Sequence, residues 1–218
     1  MRNLEPYTKL PAEAEMLQKY GIGRASLREA LRLLEVQGLI VIRVGPGGGP
    51  IVAPIDSRNF ARMTSLYLFL SGATYRDVVE GRLVMEPVMA RLAAERQDVS
   101  DIVELQRFIP PADAPLADAE YLQASTDFHG LLSGLSGNPV LDFMGRALKD
   151  IYMNRVSEMI FPIEQRQQVE HDHAAIAAAI TDGEADKAET LMREHMIEYV
   201  RYAEQRHPGI LDQVVDWR

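Results

Sequence analysis

Over residues 58–206 the chain repeats its apolar positions every three to four residues, with breaks at "SGAT", "PPADAP", "SGNP", "FP" and "DGEAD". Each break carries Gly, Pro, Asn or Asp, which end helices. The pattern predicts about seven helices, at 58–71, 75–96, 99–109, 116–136, 139–161, 164–181 and 185–206, with loops of ordinary length between them. No alternating period competes, so most of the protein is constrained to an all-helical bundle.

The first 55 residues are built differently. "LPAEAEMLQKYGIG" gives a short helix ending near Tyr20, with Pro11 suited to its first turn, Met16 and Leu17 on one side and Gly21 as the stop. A second helix runs from near Ala25 to Gln37, apolar at Leu27, Ala30, Leu31 and Leu34 and closed by Gly38. Two short helices across a glycine-bearing turn make a helix-turn-helix. "LIVIRVGPGGGPIVAPI" then sets two β-branched runs, 39–44 and 51–53, around a Gly/Pro tip, which reads as a hairpin. A helix-turn-helix followed by a hairpin is a winged helix. The glycines do not make a phosphate loop, because no Gly-Lys-Ser/Thr follows them.

Charge is divided unevenly between these parts. The formal net charge is -9, yet residues 1–55 hold seven Lys/Arg against five Asp/Glu, while residues 56–218 hold sixteen against twenty-seven. An acidic body repels nucleic acid, so any polyanion contact is confined to the N-terminal part. There Arg24, Arg28 and Arg32 recur every four residues on a face of the second helix away from its leucines, with Arg24 and Ser26 in its first turn. That end of the second helix is the part that enters a major groove, where guanidinium groups pair with guanine or phosphate. Arg43 on the wing and the backbone around Gly47 and Gly48 would reach the neighbouring backbone or minor groove. A solvated helix face, with Glu29 and Glu35 neutralising part of the charge, uses the same residues without DNA.

The run "KLPAEAEMLQKYGIGRASLREALRLLEVQGLIVIRVGPGGGPIVA" resembles the DNA-binding domain of GntR-family bacterial transcription regulators. The Arg-x-x-Leu-Arg-Glu-Ala-Leu run from Arg24 to Leu31 is complete. Two positions depart from the family pattern: only Met1 to Thr8 precede the match where members have a further helix, and Ala14 stands where relatives often place a DNA-contacting arginine.

In the helical part three of the five histidines fall on apolar faces: His129 with Leu122 and Leu132, His173 with Ile176 and Ile180, His195 with Leu191, Met192 and Tyr199. One inward histidine is an ordinary hydrogen-bonded core residue. Three on separate helices of a bundle can converge on a transition metal. His171 faces away from His173, and His207 lies past the last helix. "STDFHGLLSGLSGNPVL", "EHDHAAIAAAITDGEADKAETLMREHM" and "YRDVVEGRLVMEPVMARLAAER" resemble the FCD ligand-binding domain of the FadR-type branch of the same family. The resemblance implies a divalent metal, zinc or nickel, held by His129, His173 and His195. The fourth position, an aspartate in relatives, is Ser125 here, and Asp127 is on another face. It also implies a small carboxylate effector, assisted by Arg82 and Glu86, although an internal Arg82–Glu86 ion pair is an equal alternative.

The expected fold is mainly α: a winged helix-turn-helix with a small β-hairpin wing at 1–54, a linker and connecting helix at 55–71, and an all-α FCD-like bundle at 72–218 for effector binding and dimerisation. The expected function is ligand-responsive transcription regulation by a homodimer on a palindromic double-stranded DNA operator, without catalysis. The absence of cysteine and of any long apolar run or leader pattern points to a cytoplasmic protein with no membrane partner. Two other readings remain: a metal-dependent hydrolase built on the three histidines, and a sensor or oligomerising protein that has lost DNA binding.

Overall fold

A computed structural model describes residues 5–45, 47–54, 57–109, 118–156 and 163–217. It divides into two compact units, Met1–Phe60 and Ala61–Arg218. In the first, α1 (Glu13–Tyr20) stops at Gly21, whose left-handed backbone (φ 64°) lets its N–H bond the Leu17 carbonyl. Helix α2 (Arg24–Val36) follows and buries Leu27, with Leu31 and Leu34 half-covered. Ala30 is exposed, contrary to the expectation that placed it on the apolar face: three residues from Leu27 it stands at the edge of that stripe rather than at its centre, where Leu27, Leu31 and Leu34 lie.

The wing is the antiparallel pair β1 (Ile40–Arg43) and β2 (Gly49–Val52), with Ile40 opposite Val52 and Arg43 opposite Gly49. Ile40 and Ile51 face inward. A third edge partner was not evident from the sequence. Residues 7–10 run along β2, exchanging backbone bonds between Thr8 and Tyr7 and Val52 and between Leu10 and Pro50. Lys9 Nζ also donates to the Gly47 carbonyl at 2.6 Å.

The second unit is built on α4 (Tyr75–Arg96), which a reciprocal Thr74–Asp77 capping box starts and Gln97 ends. The other helices are α3 (Ser57–Ser71), which spans the boundary between units, α5 (Val99–Leu105), α6 (Asp118–Leu135), α7 (Pro139–Val156), α8 (Ile163–Thr181) and α9 (Ala185–Arg206). The predicted helix at 99–109 is broken after Leu105, its last turn tightening to a 3-10 turn at Gln106–Phe108. The predicted ends at 116 and 161 lie outside the described residues. The mainly α architecture, with a small hairpin wing and an all-helical C-terminal bundle, is the one the sequence predicts.

The core gathers Met89, Leu105, Phe128, Leu132, Ile176 and Met192, all fully buried. Long α9 packs most extensively on α4, and residues beyond its end fold back over the start of that helix. Leu211 and Val215 are buried there, the N–H groups of Tyr75 and Arg76 bond the carbonyls of Gln213 and Leu211, and Val215 N–H bonds Ala73. Arg76 completes the strap by pairing with both Glu204 and Asp212. His207 is half-buried at the C-cap of α9.

Candidate functional sites

On the N-terminal unit, Arg24, Ser26, Arg28, Arg32, Arg43 and Gly47 are all exposed, and Gly48 is half-exposed. Helix α2 starts at Gly23 with no side-chain cap and no acidic residue in its first turn, so its leading amides and Arg24 make a positive end. The anticipated neutralisation differs in detail. Glu35 turns from the arginines to accept the Ile42 N–H of the wing at 3.1 Å, and the nearest carboxylate to Arg28 is Glu13, at 3.9 Å. Gly48 is required by geometry: a Cβ there would sit 2.3 Å from the Arg43 carbonyl oxygen, which fixes the wing turn beside Arg43.

In the helical unit, α6, α8 and α9 bring His129, His173 and His195 together. All are buried, and one ring nitrogen of each lies within 4.8 Å of the others. Among the described residues no other group of three or more His, Asp and Glu side chains converges in this way. The ring of Phe128 stacks on His173 with centroids 4.0 Å apart and fixes its plane. His129 Nδ1 is 2.6 Å from Glu86 Oε2, and His195 Nδ1 is 3.2 Å from Asp172 Oδ2. An ionised carboxylate only accepts, so each imidazole donates from Nδ1 and keeps its Nε2 lone pair for another partner. His173 Nε2 is buried with no hydrogen bond.

Electrostatics favours the same state. Burial pushes His129 down to about 4 despite the attraction of Glu86. Burial also pushes His173 well below the ordinary range, reinforced by its two histidine neighbours. Burial opposes ionisation of Glu86, but Arg82 and His129 outweigh it and hold the carboxyl at about 2. Three buried imidazoles, two steered by carboxylates and one with an orphaned nitrogen, are a donor set suited to a borderline divalent ion, and the cluster can coordinate a metal.

Of the two readings of Arg82 and Glu86, the internal ion pair is present. Arg82 Nε meets Glu86 Oε1 at 2.5 Å, both side chains are buried, and the guanidinium lies over the Tyr152 ring. Glu86 thus links Arg82 on one side to His129 on the other. Ser125 is half-buried on α6, and Asp127 turns away to accept from Gln123. Sequence reasoning missed Asp172, whose only signal was a carboxylate beside a buried histidine in "EHDHAAI". His171 is exposed, as its spacing from His173 requires.

Beside His195 a cavity of about 360 Å³ opens between α8 and α9. Among the described residues no helix is long and apolar enough to cross a membrane.

Comparison with known proteins places both halves. Residues 77–198, more than half of the chain, match the FCD domain, and residues 1–48 match the bacterial regulatory proteins of the gntR family. The chain is a GntR-family regulator with an FCD domain. Among its relatives is an uncharacterized HTH-type transcriptional regulator, YcbG, of Bacillus subtilis, 29% identical over 86% of this chain and 77% of the relative. The HTH-type transcriptional repressor NanR of Klebsiella aerogenes is 28% identical over 86% of this chain and 74% of its own. The fold is shared with a Streptococcus agalactiae GntR structure at a TM-score of 0.68, covering 93% of both chains at 21% identity. The relatives are transcription regulators, and the role of this GntR-family chain is regulatory rather than catalytic.

Proposed function

We propose that residues 1–54 read a palindromic operator as part of a homodimer, that 55–71 connect, and that 72–218 sense a small carboxylate-bearing effector with the help of a zinc or nickel ion. The reading places the protein in the cytoplasm. The observation that carries it is the contrast between an α2 face of solvated arginines and a buried, convergent set of three histidines. Arg24, Ser26, Arg28 and Arg32 would meet bases and phosphates in the major groove, and Arg43 with Gly47 and Gly48 the flanking backbone. A twofold dimer would present two such helices about one DNA turn apart.

His129, His173 and His195 would hold the ion, and Ser125 is a weak fourth candidate. The ion would supply Lewis acidity for an effector carboxylate. In this reading Glu86 and Asp172 hold the imidazoles in their ligating tautomer, and Arg82 keeps Glu86 ionised. Effector binding would alter DNA affinity only by the difference in its affinity for the DNA-competent and incompetent arrangements.

The test is operator selection from random duplexes, followed by footprinting. A protected inverted repeat lost in Arg28→Ala supports the reading, whereas protection unchanged by that substitution overturns it. His173→Ala is expected to change the effector response more than DNA affinity in the effector's absence.

A further inference from the structure

The cavity between α8 and α9 has a charge that a simple acid would not favour. Asp172, Glu194 and Glu198 line it with Gln165, Gln168 and Tyr199, and among the described residues no lysine or arginine is in its walls. Asp172 is held by His195 and Gln168, and Glu198 pairs with Arg201. Glu194 has no hydrogen bond or ion pair among the described residues. His195 is only 3% exposed yet lines the same cavity. With Nδ1 committed to Asp172, its Nε2 makes no hydrogen bond among the described residues, so the open nitrogen of a largely buried imidazole is available beside the acidic wall.

A volume of about 360 Å³ suits a small molecule. Arg82, the guanidinium that could have met an effector carboxylate, is occupied by Glu86 and covered by Tyr152. A simple dicarboxylate here would meet like charge on three sides, with compensation only at the histidine end. A ligand bearing an ammonium group as well as a carboxylate would set the ammonium against Glu194 and Glu198 and, with the ion of the proposed function in place, its carboxylate toward the histidine centre.

We infer that this cavity seats the effector and selects an amino carboxylate over the matching acid without its amine. The inference rests on the regulator reading above and adds the chemical class of the ligand. The carboxylate end lies toward His195 and the three-histidine centre, and the ammonium end lies between Glu194 and Glu198.

The test uses the full chain, with and without Co²⁺, and titrates matched pairs by calorimetry: glycine and acetate, L-alanine and propionate, L-norleucine and hexanoate, 6-aminohexanoate and hexanoate. At least one amino member is expected to bind about tenfold tighter than its partner. The exposed-site double variant Glu194→Gln/Glu198→Gln is expected to reduce that preference to about threefold or less. Equal or tighter binding of every desamino acid, or a preference undiminished in the double variant, overturns the inference. If the variant weakens Co²⁺ binding and leaves the amine preference intact, the carboxylates serve the ion and the inference also fails. Cobalt absorption and operator binding are read on the same samples. A protein that takes up cobalt and binds operator without preferring amines therefore sinks this inference alone.

Discussion

Arg28 on α2 has 74% of its side chain in water and its nearest carboxylate at 3.9 Å, whereas Arg82 on α4 is 3% exposed and bonded to Glu86 at 2.5 Å. One guanidinium retains its hydration and its freedom to meet an outside anion. The other has lost both, and its charge fixes the ionisation of Glu86, which in turn orients His129. The difference is one of solvent. An exposed ion pair contributes little to stability, while removing one partner of a buried pair leaves a charge with no water to receive it.

Glu86→Gln gives the largest expected effect, because it strands Arg82 in the interior. The helical unit should lose about 3–5 kcal/mol in denaturant unfolding, with the N-terminal unit unaffected. Loss under about 1 kcal/mol would mean that Arg82 escapes to water and that the contrast is false. Arg28→Ala should leave unfolding unchanged and weaken operator binding about 10- to 100-fold by anisotropy, with a shallower salt dependence.

Acidification discriminates between the halves. His129 is held at about 4 in the folded chain, so the unfolded chain, with its ordinary histidine, binds more protons between the two values. Stability is therefore full above the unfolded value and lost as pH falls from about 6.5 toward about 4. Lowering pH from about 7 to about 5 should cost the metal-free helical unit about 2 kcal/mol through His129, with His173 adding in the same direction. Bound metal should flatten the dependence, since it competes with protons for the same nitrogens. Melting curves across that range, with and without Zn²⁺, check both points. The smallest effect is expected from Val215→Ala, which trims the buried strap against the start of α4 and should cost about 1–2 kcal/mol in the same assay.

How far the sequence could be read depended on whether a feature was local. The start and end of α4 at 75 and 96, the stops at Gly21 and Gly38, and the hairpin around a glycine tip all rest on neighbours a few residues apart, and the structure has them. The inward facing of the three histidines also followed from helical period, because 3.6 residues per turn fixes which side of a helix is apolar. Less legible was anything joining distant segments. The strand-like run of residues 7–10 on the wing and the strap at 211–215 have no periodic signature of their own, since each is ordered by a surface supplied from elsewhere.

The candidate site shows the same boundary in a single residue. Sequence placed Glu86 four residues from Arg82 and left open whether the arginine faced inward to it or toward a ligand. Only packing α6 against α4 brought His129, 43 positions away, within 2.6 Å of the second carboxylate oxygen. Asp172 likewise acquires its role because α9 carries His195 past it. What the sequence by itself determined was the inventory of helices, the wing, the exposed arginine face and the three inward imidazoles. Tertiary structure decided which carboxylate steers which imidazole, because helical period fixes the direction a side chain takes and leaves its distant partner to the packing of the bundle.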